Sequence, residues 1–350
     1  MGSLLRSITK NCLIKLTAAL AAAVFLTAGC TVSDGPAAEE EQNTAAQAGP
    51  ADTVIEYRTI VCEGIKDTYK LVFMSDLHII AKEDTSAGMP ASDDAGGRYI
   101  DPGAQQTVDS RYEAFAAGGL SSAEYWEELA SGLDDLEADA VLLGGDMIDF
   151  CTPNALRILS YGLRMISAPV MYVRADHDTG IWYSEGSETE EDAEKWQDEL
   201  ADNGDVLLLQ LPELWIIGIN NSTEQISADA LYWVQYYLSE CRNRDIPAVI
   251  LTHVPFQPET DTGLAAACGQ SPDGRNLFWG PDGYHFPDSN TSDLLSLLYA
   301  DDSPAAAVFA GHLHFGYEGP LADNAVYTMQ YIGEPAFAHR ITVFTITGKN

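Results

Sequence analysis

From about residue 53 onward, apolar runs alternate with stretches of helical periodicity, the pattern of an α/β domain. The sharpest runs are Leu71–Met74, Ala140–Leu143, Val170–Val173, Ala248–Leu251 and Ala305–Ala310. Helix starts lie between them. Ser121 and Glu124 make a capping box ahead of Tyr125–Leu129, and Thr152-Pro153 places an N-cap before a first-turn proline. Ser227 opens an amphipathic stretch from Ala228 to about Arg242, and Asn290 is expected to open Thr291–Leu298. Val206–Leu211 and Leu214–Ile219 flank Pro212-Glu213 as neighbouring strands. Val326–Ile332 and Ile341–Ile346 add two late strands with no helix between them. No internal repeat is present.

Each of the five sharp runs leads into a polar cluster: Ser75-Asp76-Leu77-His78, Gly144-Gly145-Asp146-Met147-Ile148-Asp149, Arg174-Ala175-Asp176-His177-Asp178, Thr252-His253 and Gly311-His312-Leu313-His314. Ligand sites of open α/β sheets form beyond the carboxyl ends of strands, so strands lying side by side would bring these clusters to one crevice. Five of the seven histidines fall in them; His285 lies in a long loop, and neither it nor His339 is expected to be a ligand. Aspartate and imidazole are costly to bury alone, and a shared cation satisfies several at once. Two residues apart on an extended chain, Asp76 and His78 point the same way and can hold one ion. A carboxylate and imidazole set without thiolate suits Mn, Fe or Zn.

The chain before residue 53 reads differently. A basic start is followed by Leu16–Ala28, 13 apolar or small residues, too short to span a bilayer but suited to a signal-peptide core. It ends in Leu26-Thr27-Ala28-Gly29-Cys30, which resembles the processing site of bacterial lipoproteins, with Thr27 where a larger aliphatic is commoner. That resemblance implies a leader over 1–29, lipidation of Cys30 and an extracytoplasmic, membrane-anchored protein. Residues 31–52, rich in Ala, Glu, Gln and Gly, read as a tether. Four cysteines (Cys62, Cys151, Cys241, Cys268) fall in the globular part, either disulfide-bonded or as buried thiols, and without a C-x-x-C they do not suggest structural zinc.

Charge narrows the partners. The formal balance is −35, with 18 basic residues against 53 acidic ones, and removing the leader takes away Arg6, Lys10 and Lys15. Such a surface argues against nucleic acid as a general partner. An anionic substrate must be met locally, and bound cations are the direct means.

Taken in order, the five clusters resemble the motifs of the calcineurin-like metallophosphoesterase superfamily. The resemblance spans about Leu71 to His314 and implies two mixed β-sheets packed as a sandwich and flanked by helices. It also implies a single catalytic domain over 53–350 with insertions at 81–119 and 255–289. Carried across by position, Asp76, His78, Asp146 and His314 would bind one divalent metal. Asp146 would bridge to a second, held also by Asp176, His253 and His312. His177 would contact the phosphoryl group or protonate the leaving oxygen, and Asp149 and Asp178 would orient neighbouring histidines. The implied reaction is in-line attack on a phosphoester by a hydroxide bridging the metals. Asp176 departs from the family's asparagine, adding a charge and removing an N–H donor. Arg174, two residues earlier, either supplies that donor to substrate or forms an ion pair with one of the acids nearby.

Long loops at strand ends carry binding residues. Arg98, Tyr99, Arg111 and Tyr112 in the first insertion are candidate contacts, as are Arg275, Phe278, Trp279, Tyr284, His285 and Phe286 in the second. The aromatics can stack on substrate or form a small core that holds the loop down. The leading expectation is hydrolysis of a small phosphoester. Its alternatives are a diesterase or pyrophosphatase acting on nucleotides or envelope phosphates, and a metal- or ligand-binding lipoprotein without turnover.

Overall fold

The computed structural model describes residues 47–48, 52–88, 102–181, 190–200, 204–221, 225–258, 263–271, 274–321 and 328–349. Among the described residues twelve strands run in chain order: β1 (Gln47–Ala48), β2 (Val54–Val61), β3 (Tyr69–Met74), β4 (Ala140–Leu143), β5 (Val170–Tyr172), β6 (Val206–Gln210), β7 (Trp215–Ile219), β8 (Ala248–Leu251), β9 (Ala305–Ala310), β10 (Tyr317–Pro320), β11 (Met329–Ile332) and β12 (Arg340–Thr347). They form two six-stranded mixed sheets, ordered β1-β2-β12-β3-β4-β5 and β10-β11-β9-β8-β7-β6. Within them β3, β4 and β5 are parallel neighbours, as are β7, β8 and β9. β12 fits antiparallel to β3 and parallel to β2.

Strand alternation builds the layers. Leu71 and Phe73 of β3, with Leu142 and Phe344, face Val249, Leu251, Ala307 and Phe309 across the inter-sheet core. The Phe309 ring stacks 4.0 Å from Phe344 and lies 5.6 Å from Phe73. The opposite residues, Val72, Met74, Val141 and Leu143, pack on helices α2 (Ser122–Gly132) and α3 (Pro153–Leu163). Ala248 and Ile250 do the same on the other side, under α6 (Ala228–Arg244) and α7 (Ser289–Tyr299). Strands covered on both faces must be continuously apolar, which is why β3, β4, β8 and β9 stand out in the sequence.

The expected caps hold at Ser121, Thr152 and Ser227. The last helix starts earlier than expected: Asp288, not Asn290, is its N-cap, accepting from Thr291 N at 2.9 Å. Gln47–Ala48 forms a short antiparallel pairing with β2 at a position read from composition as tether. The first insertion contains helix α1 (Pro102–Ala114). All four globular cysteines are buried thiols, so the disulfide alternative falls. Among the described residues, no helix is long and apolar enough to cross a membrane. Cys30, Arg98 and Tyr99 lie outside the described residues.

Candidate metal centre

The carboxyl ends of β3, β4 and β5 in one sheet and of β8 and β9 in the other meet at one place. Backbone bonds stitch the loops that leave them: Asp76 N to Gly145 O (3.0 Å), His78 N to Asp146 O (2.9 Å) and Gly311 N to His253 O (2.9 Å). Asp76, His78, Asp146, His312 and His314 all have φ between 50° and 74°. This left-handed region costs L-residues ~1–2 kcal/mol each, and Asp and His tolerate it better than most. Gly145, at φ +91°, is required by both conformation and space, because a Cβ there would lie 2.8 Å from His253 Nδ1 and from Ala175 Cβ. At Gly311 a Cβ would meet Asp76 Oδ2 at 2.6 Å.

Two groups of donors result, each with its ligand atoms within 4.8 Å of one another. One is Asp76, His78, Asp146 and His314; the other is Asp146, Asp176, His253 and His312. All seven residues assigned to metal by resemblance are therefore brought together, in the same two sets, with Asp146 in both. Asp76, His78, Asp146 and His253 are buried, whereas Asp176 is exposed in the first turn of α4 (Asp176–Thr179).

The donors fit a pair of cations. Asp146 Oδ1 and His312 Nε2 are buried and have no partner, an expensive arrangement unless something is bound there. His253 Nδ1 lies 2.8 Å from the Gly144 carbonyl, which can only accept, so Nδ1 carries the proton. Its Nε2 is then turned toward the cluster, 3.3 Å from Asp146 Oδ2. Asp149 Oδ1 fixes His78 in the same manner, 2.8 Å from Nδ1, leaving Nε2 to face His314 Nε2 at 3.1 Å. Burial disfavours charge on His253, yet Asp146 and neighbouring aspartates outweigh it and lift its pKa to about 10. His312 is pushed down to about 3 by burial and by His253. Burial raises the Asp76 carboxyl, but His314 and His253 outweigh it and hold it at about 2. Carboxylate charge dominates the centre.

His177 sits beside this cluster and in neither group. Its Nδ1 is 3.0 Å from both the Asp149 carbonyl and Asp149 Oδ1, and its ring meets His78 edge-on at 4.7 Å. Burial lowers its pKa, but the Asp146 and Asp149 charges prevail and hold it at about 9. His78, Asp149 and His177 form a third cluster that already contains a cation, since Arg111 donates Nε (2.6 Å) and Nη2 (2.5 Å) to the Asp149 carboxylate.

One sequence expectation is corrected, and one open alternative is decided. Asp178 binds no histidine; its carboxylate accepts backbone N–H groups of Asp146, Met147, Ile148 and Ala175 at 2.8–3.1 Å, shaping the loop that carries Asp146. Arg174 turns away to Asp198 on α5 (Glu190–Leu200), Nη1 to Oδ1 3.4 Å. Its side chain is 10% exposed. Strand alternation stops at Tyr172 and a helical turn begins at Asp176, so residues 174 and 176 do not share a side.

The insertions divide between wall and core. Phe278 and Trp279 are fully buried, favouring the mini-core reading, while Tyr284 and Phe286 are 72% and 75% exposed. His285 lies 6.3 Å from the His312 ring, centroid to centroid. His339 is stacked on Tyr125 at 3.8 Å, away from both donor groups. Two supports were not foreseen. Asn221 Oδ1 accepts from His253 N and Val254 N, both at 3.1 Å, and Phe115 stacks on His78 at 4.4 Å.

A sandwich of two mixed sheets with paired donor sets at its strand ends fits a metal-dependent hydrolase. The chain belongs to the calcineurin-like phosphoesterase family, whose model matches residues 69–316, and it is a phosphoester hydrolase. It is similar at 13% identity to a dimetal phosphatase from Danio rerio, with 77% of this chain and 88% of that one covered and a TM-score of 0.45. It is similar at 13% identity to the purple acid phosphatase PPD1 of yellow lupin, with 79% of this chain and 45% of that one covered and a TM-score of 0.42. Among curated proteins nothing matches.

Proposed function

We propose that this protein is a two-metal hydrolase of a small phosphoester, held on the extracytoplasmic face of a membrane through Cys30. The observation that carries the catalytic part is Asp146: it belongs to both donor groups, and its buried Oδ1 has no partner in the protein. Asp76, His78 and His314 would complete one site, and Asp176, His253 and His312 the other. Two divalent ions held there would supply a nucleophile at neutral pH and positive charge against the oxygens of an in-line displacement.

The remaining work falls to side chains. Asp149 holds His177 by Nδ1, so contact with a phosphoryl or leaving oxygen would be made through Nε2. The hydrogen bond to the Asp149 carboxylate orients the ring and favours its protonated form, which suits a general acid. Asn221 and the Gly144 carbonyl fix His253 from its backbone and its ring. The leader and tether carry the membrane part of this reading, through the lipoprotein-like junction at Cys30.

Metal content and turnover measured on one preparation test the catalytic part, using aryl phosphate monoesters, diesters and pyrophosphates with Mn²⁺. Near-stoichiometric metal pairs with monoester turnover are expected. Higher rates on diesters or pyrophosphates would move the substrate to the alternative class, and bound metal without any turnover would leave a binding protein.

A further inference from the structure

Substrate phosphate needs donors beyond the metals, and Arg174, one candidate to provide them, is engaged with Asp198. A different arginine stands beside the centre. Arg111 is in the last turn of α1, inside the first insertion, and its side chain remains 32% exposed although it is paired with a fully buried carboxylate. Its guanidinium lies over the rings of Phe115 (4.9 Å) and Phe150 (5.7 Å), which fix its plane. Phe115, four residues on, stacks against His78, so one face of the inserted helix meets the metal centre at two points.

The orientation of the fork matters. Nε and Nη2 bond to the two oxygens of Asp149, which uses one edge of the guanidinium. Nη2 takes Oδ1, and Oδ1 is also the oxygen that meets His78 Nδ1 and His177 Nδ1. The second edge, formed by Nη1 and the other Nη2 proton, is not used by Asp149. No acceptor among the described residues engages Nη1. Two parallel N–H groups on a planar cation match two oxygens of a phosphate.

We infer that Arg111 is the phosphate-binding cation of this site, with Nη1 and Nη2 contacting the phosphoryl oxygens while Nε and Nη2 hold Asp149. This rests on the phosphoesterase reading above. The inserted helix would thus deliver a substrate contact as well as a wall, in a site whose other nearby charges are mostly negative.

The test is calorimetric titration of inorganic phosphate into full-length, metal-loaded protein, comparing wild type, Arg111→Lys and Arg111→Gln, with metal content measured on each. Loss of a charge-assisted pair should weaken phosphate binding by roughly 10–100-fold in Arg111→Gln and less in Arg111→Lys, with metal content unchanged. Phosphate affinity equal to wild type in a folded Arg111→Gln protein would overturn the inference, leaving Arg111 as a positioning residue for Asp149. Wild-type protein provides a check independent of variant folding: phosphate should slow modification of Arg111 by phenylglyoxal, read by peptide mass spectrometry. Unaltered modification under saturating phosphate also overturns it. Wild-type protein that turns over phosphoesters but shows either negative result sinks this inference alone, whereas absence of both turnover and phosphate binding sinks the functional reading with it.

Discussion

At the scale of single residues, the centre is built from side chains whose roles depend on which nitrogen or oxygen is already occupied. His177 shows this most directly. Its Nδ1 is committed to Asp149, and it belongs to neither donor group that contains Asp146. Replacing it should therefore spare metal while slowing turnover. His177→Ala is expected to keep its metal content and lose roughly 10²–10⁴ in kcat, the usual share of a general acid. Metal loss in that variant would place His177 among the ligands instead. The five polar clusters were legible in sequence because each follows a buried strand, where unpaired Asp and His are otherwise too costly, and the family resemblance picked the seven donors out of them. Arg111 was legible only as a candidate, since its partner Asp149 is 38 residues away and no local pattern links them. Arg174 takes the ion-pair alternative, because the two-residue alternation does not run past the end of β5. Asp178 was read through the family's histidines, whereas its bonds go to backbone.

Among elements, the division between legible and hidden follows burial. β3, β4, β8 and β9 are apolar on both faces and visible at once. α1 carries Val108 as its single large aliphatic within a polar sequence, so its helix left no apolar stripe to read. β2 has an alternating, partly exposed pattern and becomes a strand through its pairing with β12, which is far off in sequence. The strand-to-loop junctions bear the tightest constraints. Gly145→Ala would place a methyl group 2.8 Å from His253 Nδ1 in a left-handed backbone. It is expected to lower stability by at least ~1 kcal/mol from backbone conformation alone. It should also weaken metal retention, because the methyl displaces the ring held by Gly144 O. Thermal denaturation with and without added Mn²⁺ checks both effects, and a wild-type profile in both conditions would show that the junction tolerates the change.

For the whole molecule, two six-stranded sheets present one carboxyl-terminal rim on which every assigned donor converges. The surrounding chain is strongly acidic, 53 Asp and Glu against 18 Lys and Arg, so an anionic substrate would have to be met by positive charge held locally. Anchoring through Cys30 would place this domain at a membrane surface by a tether, with stable retention requiring more than one acyl chain. Cell fractionation of Cys30→Ala should move the protein out of the membrane fraction; equal retention of variant and parent would refute the anchor. The central claim, that Asp146 joins two metals into one hydrolytic centre, has a more direct test in metal analysis and aryl phosphate turnover of wild type and Asp146→Ala prepared side by side. The account predicts close to two divalent ions per wild-type chain, with fewer ions and activity lower by several orders of magnitude in the variant. Unchanged metal content and unchanged turnover in Asp146→Ala would contradict it.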